Sequence, residues 1–436
     1  MPSYSALAYL VFFFSGSLAT LYISPFFGVL LYEVQYLANP PGRWWYGDLM
    51  DLRYSLVIML MTCLSFALRR ERFTRNRVFE APPAKWLLLL TLVMLLTSLW
   101  AISPAVHGPE MLRYLKVLAF IMIAYKTVDT AAKLEAVLAL YVAAISYLSI
   151  LGWESGRSGG GRLEGLGCAD GSDANGTALV VGTVIPLLIF YLLFGKSRWA
   201  RIAALAALVF NLNSLVLLNS RGALLAFLAS SGWMALSVFR ESSRRVHKLQ
   251  IIAGLLLGAG LFYYLADETF LTRMATLHSL DPDAEEIGTH RVDFWMATFQ
   301  MLKEYPFGGG ARTFQLLSRY YLPAEWLSDG SRVVHSMWFE VLSEYGYHGL
   351  FLFVGFVVSS FGVLARCKRQ FRETNDSYHL FQATTLQGTW LSLLVASSFV
   401  NNFYGELTFW LPAFIAAFGS IHLSKEGDSH AYDQVT

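Results

Sequence analysis

GTALVVGTVIPLLIFYLLFG, residues 176–195, carries no charged side chain in twenty positions. A run of that length is what an α-helix needs to cross the roughly 30 Å of bilayer hydrocarbon. Inside it each backbone polar group must find its partner within the segment, which a helix provides. Comparable runs lie near 5–21, 24–39, 52–68, 85–101, 110–125, 133–153, 199–218, 221–239, 249–266, 336–364, 384–402 and 404–423, giving thirteen candidate spans with the first. The first two are short and joined by only Tyr22 and Ile23 ahead of Ser24-Pro25. Residues 1–40 therefore read either as two crossings or as two half-depth pieces. The expected fold is all-α, a polytopic membrane protein with about twelve transmembrane helices.

Composition agrees with that reading. The 436 residues are 55% hydrophobic and only 15% charged, with a mean hydropathy of +0.47, against about 25% charged residues in soluble chains. The net charge of +2 is too small to point to a partner, and no nucleic-acid partner is expected. Cys63, Cys168 and Cys367 are too scattered for a disulfide framework. The N-terminus lacks the basic n-region of a cleavable signal peptide.

Lys and Arg in short loops orient the spans. Basic clusters stand at Arg69, Arg70, Arg72, Arg75 and Arg77; at Arg240, Arg244, Arg245 and Lys248; and at Arg366, Lys368, Arg369 and Arg372, with a weaker one at Lys196, Arg198 and Arg201. With the spans paired as above, all four fall on one side, taken as cytoplasmic. The chain then divides into N-terminal transmembrane helices (1–266), a large periplasmic loop (267–335), and C-terminal transmembrane helices with a cytoplasmic tail (336–436). Gly195-Lys196-Ser197 ends like a phosphate-binding loop, but Phe190 stands where that motif needs its first glycine.

The large loop carries the chemistry. Ile287–Glu304 reads as an amphipathic helix with Val292, Trp295, Phe299 and Leu302 on its apolar face and Thr289 as N-cap. Tyr305-Pro306-Phe307-Gly308-Gly309-Gly310 stops it. Such a helix is suited to lie on the membrane surface. A shorter helix is expected near Thr313–Tyr321, offering Leu316, Leu317, Tyr320 and Tyr321, and Arg332-Val333-Val334-His335 leads into the next span. Arg162, Arg221, Arg291, Arg312, Arg332 and His335 all fall at the extracytoplasmic boundary, against the positive-inside bias. A guanidinium fork matches phosphate, so a diphosphate is a fitting ligand. Lone arginines and histidines at a span boundary are more often interfacial anchors. Here several converge. The loop carboxylates Asp281, Asp283, Glu285 and Glu286 have no His or Cys at ligand spacing, so no metal is expected.

Three ordered motifs resemble the O-antigen ligase/polymerase superfamily. They are Ser220-Arg221-Gly222 before an apolar span; Arg291-x3-Trp295 running into Pro306-x-Gly308-Gly309-Gly310-x3-Phe314; and His335-Ser336-x-Trp338 with Glu344-Tyr345-Gly346-Tyr347-His348-Gly349. Arg162 and Asn175 stand where related sequences have an arginine and a Pro-Asn pair, with Ala174 here in place of the proline. Pro25, Asn39-Pro40 and Trp44 resemble the ligase branch more than the polymerases. The resemblance implies a cofactor-free, metal-independent inverting glycosyltransferase in a Gram-negative inner membrane. It would move a glycan from undecaprenyl diphosphate to a hydroxyl of lipid A–core at the periplasmic face. His335 would be the general base, and Arg221, Arg291, Arg162, Arg312 and Asn175 would bind diphosphate. Glu344 and His348, four residues apart, read as a local structural pair. The competing functions are a polymerase of the same superfamily, a transferase acting on protein, and a polysaccharide or lipid transporter, although repeats and mid-membrane charges typical of transporters are scarce.

Overall fold

The computed structural model describes residues 3–157, 161–171, 173–241, 245–275 and 290–423. Among them the chain forms sixteen α-helices. The first ten are α1 (Tyr4–Tyr22), α2 (Pro25–Leu37), α3 (Tyr54–Arg69), α4 (Pro82–Thr97), α5 (Pro104–Thr127), α6 (Ala131–Ser155), α7 (Ala174–Phe194), α8 (Arg198–Leu218), α9 (Arg221–Glu241) and α10 (Arg245–Leu265). Then come α11 (Glu268–Ala275), α12 (Arg291–Glu304), α13 (Thr313–Tyr321), α14 (Met337–Glu373), α15 (Ser377–Ser397) and α16 (Leu407–His422).

Six of these, α1, α6, α7, α8, α9 and α14, are long and apolar enough to cross a membrane, and α4 and α16 are shorter apolar helices. The others fall short for local reasons. α2 has 13 residues and α3 has 16. α5 carries Glu110, Arg113, Lys116 and Lys126, and α15 buries Gln382, Thr384, Thr385, Gln387 and Thr389 against its neighbours. Apolar side chains cover the outside as well as the core. On α3, Leu56, Leu60, Leu64 and Leu68 recur every fourth residue and are all exposed. A helix apolar all round belongs in a bilayer, and the chain is a multi-pass membrane protein.

The uncharged helix α7 is the hub. α7 packs against α6, α8, α9 and α15, and its N-terminus is capped by Asp173, whose carboxylate accepts from Gly176 N at 2.7 Å. A second layer of α4, α15 and α16 packs on α14, while α1, α2 and α3 form a lobe joined through α2 to α6. The basic clusters meet at one end. There Arg372 pairs with Glu241 at 2.9 Å, Lys196 with Glu135 at 3.4 Å, and Arg75 donates to Ile421 O at 2.8 Å. Asn175, Arg221 and His335 stand at the starts of α7, α9 and α14, so they occupy the opposite end. Arg244 lies outside the described residues.

Two expectations about the loop change. The amphipathic helix begins at Arg291, with His290 at the N-cap position and no side-chain cap bond; Ile287 and Thr289 lie outside the described residues, as do Asp281, Asp283, Glu285 and Glu286. Its buried face is Phe294, Ala297, Thr298, Met301 and Leu302, whereas Val292, Met296 and Phe299 are exposed. The helix is apolar on two sides because it packs inward as well. Phe294, Ala297 and Met301 join Phe314, Leu317, Leu322 and Val334 in a small core separate from the main one. The span expected at 336–364 also changes, because α14 breaks at Gly346, where φ is 64°.

Candidate active site

Four chain segments meet at the end opposite the basic clusters. The first is the glycine-rich loop before α7. Arg162 donates through Nε to Leu218 O at 3.1 Å and through a terminal nitrogen to Asn175 Oδ1 at 2.8 Å. The second is the α8–α9 turn, whose Asn219 ends α8 in the left-handed region at φ 51°. Ser220 Oγ donates to the same Asn175 Oδ1 at 3.0 Å. Asn175 thus ties the loop carrying Arg162 to the turn presenting Arg221. The third segment is the start of α12. The Arg291 guanidinium lies 5.8 Å from the Phe399 ring centroid, within cation–π range. Phe399 in turn packs so close to Gly222 that a β-carbon there would stand 3.1 Å from its ring. A side chain after Arg221 would crowd that ring, and the packing brings Arg291 to the same corner as α9.

The fourth segment ends at His335, which holds a left-handed backbone conformation at φ 52° just ahead of α14. A non-glycine residue there is strained, and such strain collects at functional sites. The imidazole packs beside Phe294, ring centroids 6.4 Å apart. Burial, reinforced by the positive charges of Arg291 and Arg332 and partly opposed by Asp173, pushes its pKa down to about 4. The ring is therefore neutral at physiological pH, with a lone pair available to accept a proton. Arg332 stands over Phe294 at 5.7 Å. Its backbone N donates to Ser318 Oγ at 2.9 Å, and its Nε is buried without a partner.

Arg312 is placed elsewhere. Its guanidinium donates to Glu110 at 2.5 Å, and its backbone N to Glu344 Oε1 at 2.6 Å. It lines a polar cavity of about 390 Å³ bounded by Glu110, Arg113, Asp170, Glu340, Asn401 and Tyr404, with Val333 and Val334 forming the wall next to His335. Asp170 sits at the junction, accepting from Glu406 N at 3.3 Å and Leu407 N at 3.2 Å to cap α16. Burial raises its pKa.

Glu344 is not paired with His348. Gly346 breaks the helix between them, so the four-residue spacing no longer puts them on one face. Glu344 instead accepts from Arg312 N and from the Tyr404 hydroxyl at 2.7 Å, while His348 turns edge-on to Phe307. The two glycine motifs interlock at this break. Gly310 N donates to Glu344 O at 2.9 Å. A β-carbon on Gly308 would lie 2.3 Å from Glu344 O, and one on Gly346 would lie 2.5 Å from Pro306 O. On the far side of α9, an apolar cleft of about 350 Å³ between α7, α8, α9 and α10 begins at Leu224, one turn from Arg221.

Arg162, Asn175, Arg221, Arg291 and His335 are thus brought to one corner, while Arg312 faces the adjoining polar cavity. Arg332 joins the corner although its motif position gave it no more weight than the other boundary arginines; its signal was its place three residues before His335. Glu110, Asp170, Glu340 and Tyr404 gave no such signal, because the partners that fix them at the cavity, Arg312, Leu407, Phe403 and Glu344, are 60–237 residues away along the chain. No curated protein matches the chain. Residues 206–354, which contain Arg221, Arg291, Arg312 and His335, match the family model of the O-antigen ligases (Wzy_C), and over that stretch the chain is similar to that family.

Proposed function

We propose that the chain is a metal-independent, inverting O-antigen ligase. It takes a glycan from undecaprenyl diphosphate and joins it to a sugar hydroxyl of lipid A–core, on the periplasmic face of a Gram-negative inner membrane. About twelve helices cross or enter the bilayer, with 267–335 forming the periplasmic loop and the basic clusters in the cytoplasm. The observation that carries this reading is a buried imidazole in the field of the Arg291 and Arg332 guanidinium groups, at the end of the bundle away from the basic clusters.

In this reading the acceptor hydroxyl reaches the corner through the polar cavity. Its oxygen attacks the anomeric carbon as the bond from that carbon to the diphosphate oxygen breaks, and His335 takes the hydroxyl proton. A single displacement inverts the anomeric configuration. Negative charge grows on the leaving diphosphate, where Arg221, Arg291 and Arg332 can stabilise it. Arg162 and Asn175 hold the α9 start in position, Arg312 orients the cavity wall, and the cleft beside Leu224 has room for part of the prenyl chain. The test is to supply purified protein with carrier-linked glycan and either lipid A–core or a second carrier-linked glycan as acceptor. Glycan joined to lipid A–core is expected. Lengthened carrier-linked glycan alone would make the chain a polymerase, and no product with either would remove the transferase reading.

A further inference from the structure

A groove of about 570 Å³ lies on the loop cap, between the end of α12, one face of α13 and the turn before α5. Tyr305, Tyr320 and Tyr321 line it together with Glu304, Arg319 and Ser103. Tyr320 is 67% exposed, and the Arg319 guanidinium stacks over its ring at 4.8 Å. Leu317 roots the floor in the small core of the cap. The frame is fixed: Ile102 N donates to Gly309 O at 2.9 Å, and Gly308 N to Tyr305 O at 2.9 Å.

The chemistry here differs from that at His335. One guanidinium and one carboxylate cancel in charge, so nothing concentrates an anion. The exposed Tyr320 ring and the half-buried Tyr305 and Tyr321 rings, flanked by hydroxyl, guanidinium and carboxylate groups, suit a ligand with C–H surfaces and many hydroxyls. A sugar has both. The opposite face of α13 holds Ser318, which accepts from Arg332 N. The groove is therefore separated from the Arg332–His335 segment by one helix, roughly 10–12 Å across, and a glycan extending from the reaction corner spans that in a few sugar units.

Building on the transferase reading, we infer that this groove is a second glycan subsite, holding sugars several units along the chain from the reacting one. Two series of substrates test it and tell the donor chain from the acceptor chain: donors with one or many repeat units, and acceptors with a full or truncated core. For Tyr320→Ala and Arg319→Ala, KM is expected to rise roughly two- to tenfold, the cost of a lost aromatic contact. The rise should appear for the long member of one series and not for its short member, with kcat unchanged. Tyr320→Trp, which keeps a ring face, should restore the wild-type KM. Equal rises for long and short substrates, or none in either series, would overturn the subsite. A carrier-free oligosaccharide offered to the reconstituted protein gives a readout independent of turnover. Saturation transfer from protein to sugar is expected in the wild type and should fall in Tyr320→Ala. If the wild type transfers nothing, the transferase reading fails while this binding arm still decides the subsite: no signal, or one that Tyr320→Ala leaves intact, contradicts it.

Discussion

At the scale of single residues, the account rests on what surrounds His335. An imidazole held near pKa 4 is neutral but weakly basic, and a base works best with a pKa near the working pH. A diphosphate bound beside Arg291 and Arg332 would offset their repulsion and favour the imidazolium, raising the pKa in the complex. Activity needs the unprotonated ring, so it falls as pH drops through whichever pKa applies. The acid limb of kcat, which reports the complex, is therefore expected at higher pH than the acid limb of kcat/KM, which reports the free enzyme. Coincident limbs in the two profiles would contradict this. Arg221→Lys and Arg291→Lys keep a charge and lose the fork. Transfer should fall roughly ten- to a hundredfold, the value of a lost charge-assisted hydrogen bond, with no rescue by excess acceptor; full activity in both would make them anchors. Most of this corner was legible in the sequence, because Ser220-Arg221-Gly222, Arg291 and His335 each sit at a helix start. That Arg312 faces the adjoining cavity was not legible, because the positive φ of its backbone, 59°, and its partner Glu110 on α5 leave no local trace.

At the scale of elements, the interlock between the two glycine motifs sets where α12, α13 and α14 meet. Gly346→Ala would combine a strained φ with a β-carbon 2.5 Å from the Pro306 carbonyl. Strain of that kind costs on the order of 1–3 kcal/mol, so the variant should unfold at a lower temperature in detergent and lose transfer. Gly362→Ala, on the same helix with nothing near its β-carbon, should unfold at or slightly above the wild-type temperature. Equal behaviour of the two variants would mean that the contact is slack. Helical periodicity located these elements but left out the inward face of α12. The Val292–Phe299 stripe was legible as apolar, yet Phe294, Ala297 and Met301 are the buried set, since the partners that bury them come from α13 and residues 322–334. The break at Gly346 was hidden because its neighbours are apolar or aromatic enough to read as one span.

At the scale of the whole molecule, the separation of basic clusters from the arginine–histidine corner predicts which face reacts. With Cys63, Cys168 and Cys367 replaced, Glu325→Cys should label with a membrane-impermeant thiol reagent in intact spheroplasts, and Thr74→Cys only after permeabilisation. The reverse pattern would place the corner in the cytoplasm. The all-helical, multi-pass character was legible from length and charge alone; the packing of α15, whose polar residues face neighbours, was not. The claim on which the rest depends is that His335 takes the acceptor proton. A single-turnover transfer experiment tests it, with carrier-linked donor bound beforehand to wild type and to His335→Ala at matched membrane levels. The account predicts unchanged donor retention and transfer slowed by about 10²–10⁴. Transfer by the variant at the wild-type rate would contradict it.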